Sequence, residues 1–110
     1  MDADTWVPAA CTLPTADQPL RLADFDALFA EVVRRVERPE PGVARLVLDP
    51  TPAVAARTAD LVAREAECCS FFTFTLTITA DTLLLDVAVP PAHHAILDAL
   101  ATLANAAAGR

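Results

Sequence analysis

The sequence predicts an α+β domain, a four-stranded, mostly antiparallel sheet with three helices packed on one face, in the order β-α-β-α-β-β-α. Three observations predict it. Phe72, Phe74, Leu76 and Ile78 alternate with Thr73, Thr75, Thr77 and Thr79, the period of a half-buried strand. Leu22, Phe25, Leu28, Phe29, Val32, Val33 and Val36 recur at three and four, the spacing of one helix face. Thr51-Pro52 and Pro90-Pro91 each follow an apolar run and open a new periodic stretch, as helix starts do. At 110 residues the chain is sized for a single domain, residues 1–110.

Taken in order, Ala9 to Leu13 lies between Pro8 and Pro14 and reads as a short edge strand, since proline leaves a ladder bond unmade. Asp17 before Pro19 is the expected cap of the first helix. The stripe then runs to Val36, and the Pro- and Gly-containing run from Glu37 to Gly42 stops it. Val43 to Leu48 is a strand broken only by Arg45. Thr51 caps a second helix that runs to about Cys68, with Val54, Leu61 and Val62 on its apolar side. At about 100° per residue, Cys68 prolongs the row of Val54, Leu61 and Glu65, and Cys69 that of Ala55, Val62 and Ala66. A two-residue turn at Ala80-Asp81 would pair Ile78 with Leu83, Leu76 with Leu85, Phe74 with Val87 and Phe72 with Val89. All four pairs are apolar, so pattern and register agree. The last helix carries Ile96, Leu97, Leu100 and Leu103. The threonine face is left for solvent or a partner, and Trp6 is expected to cover the sheet edge.

Composition bounds the chemistry. Hydrophobic residues make up 55% of the chain, yet no run approaches the ~20 apolar residues of a membrane helix. The first residues carry acid where a signal peptide carries base, so the expected location is the cytoplasm, with no membrane partner. A net charge of −7 repels phosphate backbones, and nucleic-acid binding is not expected. No Gly-rich phosphate loop, nucleophile elbow or repeat is present.

The chemistry rests on the three cysteines. Cys11, Cys68 and Cys69 are the candidate ligands of a three-thiolate site for a soft ion, Hg(II), As(III), Cu(I) or Zn(II), because polarizable sulfur prefers polarizable cations. Adjacent cysteines on a regular helix diverge, so both reach one ion only where the helix unwinds. Glu65, three residues before Cys68, is a candidate oxygen ligand or proton donor, although Arg64, Glu65 and Glu67 also fit an ordinary solvated helix end. His93 shares the stripe of Ile96, Leu97 and Leu100 and is the inward member of His93-His94, a lesser candidate ligand. Phe71, Phe72 and Phe74 read as core rather than as a ligand box. Against the metal reading stands a plain one, in which the thiols are small buried hydrophobes. The negative end of a helix dipole also disfavours a free thiolate.

Ala10-Cys11-Thr12-Leu13 and the run from Glu65 through Cys68-Cys69-Ser70-Phe71-Phe72-Thr73-Phe74 resemble a family of small actinobacterial Cys-Cys-x-Phe-Phe proteins. Similar segments occur in domains attached to mercury-resistance-type regulators, which implies a soft-metal context, heavy-metal resistance included. A local likeness to organomercurial lyase matches Cys11 and Cys68 to its cysteines. There the match departs at the proton-handling acid, since Pro14 stands where that family has Asp, leaving Asp17 or Glu65 to substitute in space. The resulting expectation is a protein that binds a soft metal or metalloid ion for sequestration or sensing rather than turnover. Two alternatives stay open: a lyase-like or other thiol-dependent enzyme, and a non-catalytic module that forms a homodimer through the threonine face or the Ala-rich last helix, with structural cysteines.

Overall fold

The computed structural model describes residues 18–68 and 71–108, with side chains from Phe25 to Glu67 and from Phe71 onward. Three helices, α1 (Gln18–Val32), α2 (Pro52–Cys68) and α3 (His94–Ala108), cover one face of a four-stranded sheet. Its strands are β1 (Val33–Glu40), β2 (Val43–Leu48), β3 (Thr73–Ile78) and β4 (Leu83–Ala88). They lie in the order β1-β2-β4-β3, and every neighbouring pair is antiparallel. The expected α+β class, with four strands and three helices, is the class observed.

The expectations for the first 40 residues fare differently. The strand expected at Ala9–Leu13, the cap at Asp17 and the placement of Trp6 lie outside the described residues. The first helix was expected to reach Val36, but it ends at Val32, and residues 33–40 form β1 instead. A register shift between Val33 and Arg35 explains how one pattern fits both structures. Val33 sits opposite Leu48 and Val36 opposite Leu46, so two apolar residues three apart face the same side of a strand across a bulge. Without the bulge, residues three apart would face opposite sides.

The β3–β4 hairpin has the expected register: Ile78 pairs with Leu83, Leu76 with Leu85 and Phe74 with Val87. The Thr79 amide donates to the Thr82 carbonyl at 2.9 Å, which closes a turn at Ala80-Asp81. Asp81 Oδ1 accepts from both flanking threonine hydroxyls at 3.3 Å. On the inner face Ala44, Leu46, Leu48, Leu83, Leu85 and Val87 are buried and continue into Phe25, Leu28 and Phe29 of α1 and Leu97 and Leu100 of α3. Ala101, Ala104 and Ala107 are buried too, so small side chains let α3 approach its neighbours within the chain. That use takes up part of the Ala-rich helix considered above as a dimer face.

On the outer face Arg45 makes a two-pronged hydrogen bond to Asp86 on β4, with Nε–Oδ1 at 2.8 Å and Nη2–Oδ2 at 3.1 Å. That bond, and the negative charge behind it, hold the guanidinium above its ordinary pKa. Arg34 pairs with Asp49, and Arg38 reaches Asp98 of α3 at 2.9 Å. Thr51 caps α2 as expected: its Oγ1 accepts from the Val54 amide at 3.2 Å. No helix among the described residues is long and apolar enough to cross a membrane.

Candidate functional site

The candidate site lies where α2 ends and the chain turns into β3. α2 runs unbroken from Pro52 to Cys68 because it is capped by Thr51 and presents Thr58, Leu61, Val62 and Glu65, residues three, four and seven apart, to the interior. Of those four, Glu65 is the unexpected one. Its side chain is only 2% exposed, although carboxylates are almost never buried unless partnered. Glu65 is engaged in the fold rather than free. The solvated-helix-end reading therefore holds for Arg64, which pairs with Asp60 at 2.5 Å, and for exposed Glu67, but not for Glu65. In the sequence Glu65 shares the row of Val54 and Leu61, which is compatible with burial without requiring it. The helix position at Cys68 follows Glu65 by three residues and Leu61 by seven.

His93 arrives at the other end of the same junction. Pro90 is extended, with φ −64° and ψ 159°, and Pro91 starts a single 3-10 turn, Pro91–His93, before α3 begins at His94. His93 stacks on Phe71, with ring centroids 4.2 Å apart and planes 19° from parallel. Phe71 in turn lies 4.6 Å from Phe72, and Phe72 lies 5.4 Å from Phe74. A row of rings thus runs from His93 into the core, where Phe72 is buried. Phe72 is core, as expected, while Phe71 and Phe74 are half-buried and pack against it. His93 is half-buried and held beside a residue only two positions after Cys69. His94 diverges to a different neighbour: its Nε2 lies against Gly42, where an added Cβ would approach to 2.9 Å.

Cys11 and Cys69, and the side chain of Cys68, lie outside the described residues, as does Asp17. Among the described residues no group of three His, Cys, Asp or Glu side chains converges as a metal site. The structure thus describes two of the five candidate side chains. It places Glu65 inside, one turn before Cys68, and His93 against the aromatic that follows the doublet.

A second feature lies at the opposite end of α2. A groove of about 440 Å³ opens between the first turn of the helix and the β3–β4 turn, lined mainly by Pro50, Pro52, Ala55, Ile78, Ala80 and Leu83. It is apolar and carries no titratable group, so it adds nothing to the thiol chemistry.

Compared with protein-family models, with curated proteins and with solved structures, the chain matches none.

Proposed function

We propose that the protein binds a soft metal or metalloid ion, mercuric, arsenite, cuprous or zinc, through the thiolates of Cys11, Cys68 and Cys69 at the carboxyl end of α2, in sequestration or sensing. The observation that supports this best is the burial of Glu65 one turn before Cys68. The Glu65 side chain holds an oxygen donor out of bulk water one turn from the Cys68 position, and the negative end of the helix dipole also favours a cation there. A bound ion displaces the thiol protons and offsets the dipole. Softness selects sulfur first, with Glu65 oxygen and His93 nitrogen as flanking donors.

Titration of the reduced protein with each ion, followed by sulfur-to-metal ultraviolet absorption and intact mass, tests the reading. One equivalent bound tightly, and lost in each of the Cys11→Ser, Cys68→Ser and Cys69→Ser variants, supports a shared site. Weak uptake that falls by about a third with each cysteine removed, as independent thiols give, overturns it.

Burial of Glu65 also favours a second reading, thiol-dependent cleavage of a carbon–mercury bond. The thiolates take the mercury, the carbon–mercury bond breaks with its electron pair left on carbon, and a carboxyl proton from Glu65 caps that carbon. Mercuric ion stays on sulfur, and Glu65 is reprotonated by solvent. Release of benzene from a phenylmercury salt by the native chain but not by Glu65→Gln, with mercuric binding retained, is the expected result. No release by the native chain removes this reading and leaves the binding reading standing.

A further inference from the structure

The two edges of the sheet are built differently. β1 carries Arg34, Arg35, Glu37, Arg38 and Glu40 with Pro39 and two register irregularities, the devices that keep an edge from pairing. β3, Thr-Phe-Thr-Leu-Thr-Ile, has none of them: no charge, no proline and an unbroken register against β4. Among the described residues no strand lies on its other side. Its inner row is also incompletely covered, with Phe74 and Leu76 half-buried and Ile78 65% exposed.

Which backbone groups face outward follows from the ladder. The Thr79 amide donates to Thr82 and the Val89 amide to Gly42, and antiparallel pairs alternate in the direction of their hydrogen-bonding groups. Thr73, Thr75 and Thr77 therefore bond to β4. Phe74, Leu76 and Ile78 direct their amide and carbonyl groups to the open side.

We propose that β3 pairs with β3 of a second copy of this chain, antiparallel about a two-fold axis at Leu76, to make one continuous eight-stranded sheet. This register puts Leu76 opposite Leu76 and Phe74 opposite Ile78 twice over. All three pairs are of the closely hydrogen-bonded kind, two bonds each, and all fall within β3. Side chains opposite one another share a face, so the apolar rows of both copies merge on the helix side and the threonines merge on the other. The second copy's Phe74 comes to rest beside Ile78, at the rim of the apolar groove between Pro52, Ala55 and Ala80. The net charge of −7 on each copy opposes association in general, and the uncharged β3 is the edge along which two copies meet without bringing like charges into contact. A six-residue edge is about 20 Å long. It buries less than the roughly 800 Å² per partner of stable dimers, so the dimer is concentration-dependent. The contact uses neither the cysteines nor Glu65 and stands apart from the ion-binding reading.

Amide hydrogen exchange by NMR on the full chain, at about 20 µM and about 1 mM, tests it across the range of small-interface affinities. Phe74, Leu76 and Ile78 amides are expected to slow about fivefold at the higher concentration while Thr73, Thr75 and Thr77 stay protected at both. Sedimentation should show a monomer–dimer equilibrium over the same range. Ile78→Lys, at an exposed position, should abolish both effects without unfolding. Equal exchange of the three amides at both concentrations overturns the proposal, as does undiminished association of Ile78→Lys. Protection of these amides already in the dilute monomer overturns it as well, since the chain would then cover its own edge.

Discussion

Replacing Thr58 by valine is expected to stabilise the protein. Thr58 is 0% exposed and its Oγ1 has no hydrogen-bond partner among the described residues. A helical threonine usually returns its hydroxyl to a carbonyl one turn back. Thr102 in α3 does so, donating to the Asp98 carbonyl at 2.9 Å. Thr58 has lost its contact with water and gains no hydrogen bond from the described residues in exchange. Leaving a buried hydroxyl unsatisfied costs about 1–3 kcal/mol. Valine keeps the β-branch and nearly the same shape, and the helix propensities of the two residues are close, so removal of that cost is the main change. With a urea slope of about 2 kcal/mol per molar, the midpoint should rise by about 0.5–1.5 M at unchanged slope. The melting temperature should rise by roughly 4 °C per kcal/mol. Thr58→Ser keeps the hydroxyl but loses a buried methyl, and should move the midpoint the other way. A Thr58→Val midpoint at or below that of the native chain would refute the reasoning and mean that the hydroxyl is satisfied in solution.

Thr51→Ala removes the cap on the Val54 amide and should cost about 0.5–2 kcal/mol in urea unfolding, as helix caps do. A change indistinguishable from zero would mean that another acceptor replaces it. Gly42→Ala should destabilise by about 1–3 kcal/mol, the usual cost of overpacking. Its Cβ would meet His94 Nε2 at 2.9 Å and the Val89 carbonyl at 3.1 Å. In a His94→Ala background the cost should fall, because the nearer obstacle is a side chain. An equal cost in both backgrounds would place the conflict on the backbone instead.

The setting of the candidate thiol site is legible in the sequence only in part. Glu65 falls on the row of Val54 and Leu61, and the row alone allows either a buried carboxylate or the solvated end of a helix. Burial came from how α2 is set on the sheet beside β3, which local spacing does not encode. His93 and Phe71 stand 22 positions apart in the sequence and carry no shared pattern. Their stack exists because β3 and β4 pair, which brings the turn after β4 back beside the start of β3.

The sequence by itself determined the elements whose information is local. The Thr-apolar alternation with its hairpin register, the Thr51-Pro52 start of α2 and the stripe of α3 each lie within one contiguous stretch, where side-chain period and turn chemistry act directly. Only tertiary structure decided the fate of Val33 to Glu40. Valines three apart satisfy a helix face as well as a bulged strand, and the choice fell to β2, whose backbone can satisfy β1's amides and carbonyls only if the helix stops at Val32. Long-range pairing overrode local period there because a hydrogen-bonded ladder and a shared apolar face are gained together, and neither is visible to a residue reading only its neighbours.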